Sequence, residues 1–217
     1  LELVARSAEP MDGFPVHPHC LDATLLALFQ CRDYEDPDER LDGRHLKAIL
    51  AGDGVLAGRR RDGSINYWVV SYRPGPEGQV APAYPSYLND EVRLARYLEL
   101  GHGITTISEY LDGELVVASE KIVHPEEFTW EVVLDASEFD FVALFSDGVE
   151  SFYTKDDRGR VTRIPVYAVL QQAMAVKGHK GSFVTRRCQR FFERFCPKNG
   201  WEHADDFSMA AIWCRED

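Results

Sequence analysis

Three aspartates stand at the ends of apolar segments in this chain, and their placement favours a site for a hard divalent cation. Asp147 follows the apolar run 141–145 after one serine, Asp205 precedes the run 207–214, and Asp53 separates two predicted strands. Carboxylate oxygens are the ligands that Mg²⁺ and Mn²⁺ prefer. If the strands are neighbours, two ions held there would form a hydrolytic site that polarises a phosphoryl oxygen and lowers the pKa of a water.

A structural role for the same residues is the alternative. Asp-Gly pairs are common in turns, so Asp147 taken alone is typical of a turn or a helix cap. In favour of a ligand role, Asp147 ends a buried strand and precedes Gly148, a residue type that lets the backbone turn freely, which suits a rigidly held ligand oxygen. His203 lies two residues before Asp205 and is either a proton donor or a solvated loop histidine. No Ser-His-Asp or Cys-His pattern competes with the carboxylates as the source of chemistry.

Composition places the chain among ordinary globular proteins. It has 217 residues, 45% of them hydrophobic and 28% charged, which is typical of a single domain. The formal net charge of −12 argues against nucleic acid or an anionic membrane as the partner, and it suits a protein that holds cations. No segment has the pattern of a membrane span or a signal peptide. The five cysteines have no Cys-x-x-Cys spacing, so we expect reduced thiols in a cytoplasmic protein.

Hydrophobic periodicity predicts many strands and few helices. The predicted strands are 22–29, 45–50, 55–60, 65–72, 105–110, 115–119, 128–134, 141–145 and 207–214, and the predicted helices are 90–100, 165–176 and 183–196. The apolar runs 22–29 and 141–145 are typical of buried strands, although the length of 22–29 does not exclude a helix. Pro197 is expected to end the last helix. This order predicts an α+β domain in which helices cover a largely antiparallel sheet.

Five segments together resemble the motifs of one enzyme family. Residues 141–150 resemble the Ser/Thr-Asp-Gly motif of the metal-dependent type 2C protein serine/threonine phosphatases, and residues 205–209 resemble their closing Asp-Asn/Asp-x-Ser motif. Residues 51–59 are similar to their Gly-Asp-Ser hairpin, and residues 22–27 to the strand before it. Residues 105–108 are similar to the bacterial branch of the family. The resemblance covers roughly residues 20–214.

The resemblance implies a fold, a reaction and a set of site residues. It implies a β-sandwich of largely antiparallel sheets flanked by helices, and hydrolysis of phosphoserine or phosphothreonine in a protein substrate by a metal-activated water. Asp147 and Asp205 would be the catalytic metal ligands of a centre of two Mn²⁺ or Mg²⁺ ions, and Asp53 would lie where the family can hold a third ion. A cognate kinase would be a partner in cytoplasmic signalling. A non-catalytic regulatory or binding module is the alternative, as is an acidic α+β interaction domain outside the family.

The chain also departs from the family pattern. Ser151 stands where the family has a further aspartate, and no Asp-Gly-x-Gly-Gly segment supplies a bridging carboxylate. The early Asp-Gly pair at Asp12 lies too close to the next strand for the intervening helix. We therefore expect residues 1–217 to be a single domain that lacks the family's first strands and helix. By itself it should bind Mn²⁺ weakly and hydrolyse a phosphopeptide poorly. Robust metal-dependent activity of these residues alone would point to Asp12 or Glu150 as a substitute ligand.

Overall fold

The computed structural model describes residues 24–31, 45–74, 82, 84, 87, 90–99, 104–122 and 129–214. It is a mixed α+β structure with three antiparallel sheets and three helices among these residues, which confirms the predicted α+β class. The strands are β1 (Leu25–Cys31), β2 (His45–Ala51), β3 (Gly54–Arg60), β4 (Ile65–Tyr72), β5 (Ile104–Leu111), β6 (Glu114–Ile122), β7 (Thr129–Asp135), β8 (Phe139–Phe145), β9 (Phe152–Lys155), β10 (Val161–Arg163), β11 (Trp201–His203) and β12 (Met209–Trp213). The helices are α1 (Glu91–Glu99), α2 (Val166–Ala173) and α3 (Phe183–Arg190), and α3 continues through a π-helical turn (Phe191–Phe195) into a final α-helical turn (Cys196–Asn199).

The largest sheet has six strands in the order β12-β8-β3-β4-β5-β6. Strand β8 lies inside this sheet and is antiparallel to β3 on one side and to β12 on the other. Its residues from Phe141 to Phe145 are all buried, as its unbroken apolar run predicts. The hairpin of β3 and β4 and the hairpin of β5 and β6 also form where Asp-Gly turns predict them.

Alternate residues of β8 enter two different hydrophobic clusters, because successive side chains of a strand point to opposite faces. Phe141, Ala143 and Phe145 belong to a helix-side cluster, which includes residues of α2, of the π-helical turn and of the final α-helical turn. Val142 and Leu144 belong to a sheet-side cluster, which includes β2 and β7 from the three-stranded sheet β1-β2-β7. The six-stranded sheet is therefore covered on both faces at β8.

The π-helical turn that follows α3 contributes three phenylalanines to the helix-side cluster, Phe191, Phe192 and Phe195. The ring of Phe191 is fully buried and lies 5.4 Å from the ring of Phe152, measured between centroids. The expectation that Pro197 ends this helix is wrong. Pro197 lies in the first turn of the final α-helical segment, where a proline is tolerated, and Gly200 ends the helix in a left-handed conformation with φ 65°. Among the described residues, no helix has the length and apolar character needed to cross a membrane.

One further expectation needs correction, and one sheet of the structure was not predicted. The segment 22–29 was expected to be a buried strand, but β1 is an edge strand in which Leu25 and Phe29 are 38% and 51% exposed. Residues 22 and 23 of that segment, and Asp12, lie outside the described residues. The third sheet, in the order β10-β9-β11, was not predicted. Its strands have only three or four residues each and carry no apolar run.

Candidate functional site

The register of the six-stranded sheet brings three acidic segments to one place. Phe145, the last residue of β8, pairs with Val55 of β3 and with Met209 of β12. Because both neighbours are antiparallel to β8, they begin where β8 ends. Asp147 follows the end of β8, while Asp53 and Asp205 precede the starts of β3 and β12. The three predicted carboxylates therefore converge at this end of the sheet.

The backbone of the Asp206 loop packs directly against Gly148. A Cβ atom at Gly148 would lie 2.1 Å from the carbonyl oxygen of Asp206 and 3.1 Å from the Cα of Phe207. Gly148 is not among the glycines with a left-handed φ, so this position does not use the conformational freedom of glycine. The glycine is needed because no side chain fits between the two loops.

Ser146 joins the same two loops by hydrogen bonds. Its hydroxyl donates to the carbonyl oxygen of Asp206 at 2.9 Å and accepts from the backbone N–H of Ser208 at 2.9 Å. The backbone N–H of Ser146 also donates to the carbonyl oxygen of Ser208 at 3.2 Å. These bonds fix the loop that carries Asp205 against the short 3-10 helix Asp147–Glu150.

Asp53 is held by the turn between β2 and β3. The hydroxyl of Thr24 donates to Oδ1 of Asp53 at 3.1 Å. Gly52, with φ 106°, packs so closely on Thr24 that a Cβ atom would lie 2.6 Å from its Oγ1. Both the left-handed backbone and this contact exclude a side chain at position 52. The turn therefore holds the carboxylate of Asp53 on a backbone of fixed conformation.

The carboxylates act on one another electrostatically. Burial raises the pKa of Asp147, and the charges of Asp53 and Asp205 raise it further, while the backbone N–H groups of Gly148 and Asp147 lower it. Burial also raises the pKa of Asp53, against the opposing hydrogen bonds from its own N–H and from Thr24, and the charge of Asp205 adds to the increase. Repulsion between carboxylates that are partly removed from water is what a bound cation would relieve.

Glu150 belongs to the same group of charges. Burial raises its pKa first, followed by the carboxylates of Asp147 and Asp53, while the guanidinium of Arg163 lowers it. Glu150 ends the 3-10 helix that begins at Asp147, so their side chains are three residues apart and lie on the same side of the turn. Ser151 donates its hydroxyl to the carbonyl oxygen of Gly148 at 2.8 Å, so it adds no carboxylate to this group.

His203 contacts the loop of Asp205 through the backbone. Its Nδ1 lies 2.9 Å from the carbonyl oxygen of Asp205, and its ring lies 5.4 Å from that of Phe152 and 5.2 Å from that of Phe192. The ring is thus packed between the loop and the aromatic cluster. His203 is exposed to solvent, so this contact does not decide between the two roles considered from the sequence, and both stay predictions.

The donor chemistry of the site fits a hard divalent cation, because all the converging side chains are carboxylates. In the described part of the chain, however, no three His, Cys, Asp or Glu side chains form a group that could hold a metal ion. Mg²⁺ commonly keeps several waters and binds through one or two carboxylates together with substrate phosphates. Asp147 and Asp205 fit that incomplete kind of protein site.

The structure thus brings Asp53, Asp147 and Asp205 together, and their roles as ligands stay predictions. Sequence reasoning missed the hydrogen bonds of Thr24 and Ser146 that position them. The serine in Ser-Asp-Gly was the available signal for one of these bonds. Comparisons of the chain with protein-family models, curated proteins and solved structures found no match.

Proposed function

We propose that this chain is a metal-dependent protein phosphatase that hydrolyses phosphoserine and phosphothreonine. The observation that carries the proposal is the convergence of Asp53, Asp147 and Asp205 at the end of β8. The Ser-Asp-Gly and Asp-Asp-x-Ser patterns around two of these residues supply the family resemblance. A phosphorylated cytoplasmic protein would be the substrate, and a kinase would perform the opposing reaction.

The fold that goes with this proposal is a β-sandwich flanked by helices, as in the type 2C phosphatases. The two hydrophobic clusters on opposite faces of β8 support it. One cluster lies between the six-stranded sheet and the three-stranded sheet β1-β2-β7, and the other lies between the six-stranded sheet and the helices. The site would form at the edge of such a sandwich, at the ends of its strands.

Asp147 and Asp205 would hold Mn²⁺ or Mg²⁺, with Asp53 beside them. Such ions, when bound, polarise a phosphoryl oxygen and lower the pKa of a water that attacks phosphorus. The chain itself supplies negative charge at fixed positions. Ser146 and the close contact at Gly148 hold Asp205 relative to Asp147, and Thr24 orients Asp53. Fixed ligands matter because the phosphoryl group must meet the water in line.

A non-catalytic phosphatase-like binding or regulatory module is the second candidate. It is favoured by the finding that the described residues contain no group of three side chains able to hold a metal ion. In such a module the converging carboxylates would bind at most a single, loosely held cation. The two candidates differ in whether a phosphorylated substrate is hydrolysed.

The test is hydrolysis of phosphoserine and phosphothreonine peptides by the purified chain with Mn²⁺ or Mg²⁺ and with EDTA. Because the chain lacks a bridging carboxylate, we expect slow phosphate release that requires the metal and is lost in Asp147→Asn and Asp205→Asn. Asp157→Asn is the matched control, because Asp157 is an exposed carboxylate in the turn between β9 and β10. Metal binding without hydrolysis would favour the non-catalytic module, and activity that survives Asp147→Asn would refute the proposed site.

A further inference from the structure

Positive charge is concentrated in one segment of this acidic chain. Residues 177–198 contain seven of the lysines and arginines and only one acidic residue, Glu193. This segment therefore has a formal charge of +6, whereas the whole chain has −12. The segment includes all of α3 and the loop before it. Such an uneven distribution creates a local field of the opposite sign to that of the rest of the protein.

Helix α3 and the two helical turns that continue it present four of these residues on their exposed side. Arg186, Arg190, Arg194 and Lys198 follow one another at intervals of four residues, and each is exposed. We call these four residues the basic ridge. The opposite side of the helix is anchored in the helix-side cluster, where Phe191 is fully buried. The ridge is thus fixed in orientation by the packing of the helix.

The basic ridge is largely unneutralised. In the part of the chain that the structure describes, Arg190, Arg194 and Lys198 form no ion pair, and Glu193 does not pair with its neighbouring arginines. Arg186 donates to the carbonyl oxygen of Lys180 at 2.6 Å, which is a contact with a neutral group. Arg187 differs from the ridge residues, since it is half-buried and donates to the carbonyl oxygen of Gln172. Four exposed charges therefore remain available to a partner.

We propose that the basic ridge binds an acidic segment of a partner polypeptide. From Arg186 to Lys198 the helix rises by about 18 Å. An extended peptide of roughly six residues spans that length. Asp, Glu or phosphorylated side chains along such a segment would meet a positive charge on each helical turn. The inference rests on the charge and exposure of the basic ridge and does not depend on the proposed phosphatase activity.

The charge of the remaining chain favours a short acidic peptide over a nucleic acid. Outside residues 177–198 the formal charge is −18. A nucleic acid carries charge along its whole length, so a strand that extends past the ridge would meet this acidic surface and be repelled. A peptide with a short acidic stretch can place all of its charged side chains against the ridge. At physiological salt the attraction acts over about 8 Å, which also suits a local contact.

The test is fluorescence anisotropy of a labelled peptide of roughly six glutamates with the whole chain. We expect saturable binding that weakens as salt is added, because exposed charges are screened. The double substitution Arg190→Glu with Arg194→Glu should weaken binding by about tenfold or more. Arg158→Glu is the control, because Arg158 is an exposed arginine in the turn between β9 and β10 and lies off the ridge. It should change the affinity by less than about twofold.

Circular dichroism and thermal melting of each variant show whether it folds, and Arg190→Gln with Arg194→Gln replaces the charge reversal if that variant is unfolded. The inference is overturned if the wild-type chain does not bind the peptide at low salt. It is also overturned if Arg158→Glu weakens binding as much as the ridge variants do. Tighter binding of a single-stranded oligonucleotide of the same formal charge would assign the ridge to nucleic acid and contradict the proposal as well.

Discussion

Replacing Gly148 by alanine tests the contact that holds the two acidic loops together. The added Cβ atom would lie 2.1 Å from the carbonyl oxygen of Asp206 and 2.6 Å from its carbonyl carbon. Since real Cβ contacts are essentially never shorter than 3.0 Å, the loop must retreat by about 0.9 Å. The φ of Gly148 is not left-handed, so alanine adds no backbone strain of its own.

Two effects of Gly148→Ala follow from this displacement. Overpacking against a backbone, which cannot rotate away as a side chain can, costs about 1–3 kcal/mol of unfolding free energy. The retreat also moves Asp205 away from Asp147, and a misplacement of about 1 Å at a reacting centre can lower a rate by about 100-fold. We therefore expect a less stable chain whose metal response and phosphatase activity fall together.

The assays are chemical denaturation, the shift in melting temperature caused by Mn²⁺, and phosphopeptide hydrolysis. Gly178→Ala is the matched control, because a Cβ atom at Gly178 would meet nothing within 4 Å and its φ is not left-handed. If Gly148→Ala has the same unfolding free energy and the same response to Mn²⁺ as Gly178→Ala, the close contact does not position the site and the reasoning fails.

Three further outcomes are expected. Leu144→Ala should lower the unfolding free energy by about 2–5 kcal/mol in urea denaturation, because Leu144 is buried in the sheet-side cluster; a loss below about 1 kcal/mol would contradict its burial. Thr24→Val removes the hydroxyl that donates to Asp53, so it should lower the unfolding free energy by about 0.5–1.5 kcal/mol in the same assay, and an unchanged value would argue against that bond. Burial raises the pKa of Asp147 in the folded state, so the metal-free chain loses stability as pH rises from the ordinary carboxyl pKa of about 4 through the raised value. Asp147→Asn should therefore raise the melting temperature in EDTA at neutral pH but not at about pH 3. A gain in melting temperature that does not change with pH would contradict a raised pKa of Asp147.

The central part of the fold was predictable because its signals are local. The apolar run of β8 is long enough to specify a strand covered on both faces. Each Asp-Gly turn specifies the hairpin that contains it. Asp112 illustrates the turn signal, since it adopts a left-handed φ of 49° immediately before Gly113. These features depend on residues that are close in sequence.

The remaining features depend on contacts between distant segments. Strand β9 has four residues and pairs with β11, which lies about fifty residues later, and neither segment has a periodic pattern of its own. The role of Gly148 is set by the backbone of Asp206, which no local rule reveals. For the site, the sequence identified the three aspartates, whereas the register of β3, β8 and β12 was needed to bring them together.

Titration of the chain with Mn²⁺ by isothermal calorimetry tests most directly whether Asp147 and Asp205 share a divalent cation. The account predicts saturable binding by the wild-type chain, a loss of affinity of about tenfold or more in Asp147→Asn and in Asp205→Asn, and unchanged binding in Asp157→Asn. Binding that survives both site substitutions, or that falls equally in Asp157→Asn, would contradict the assignment of the metal to the end of β8.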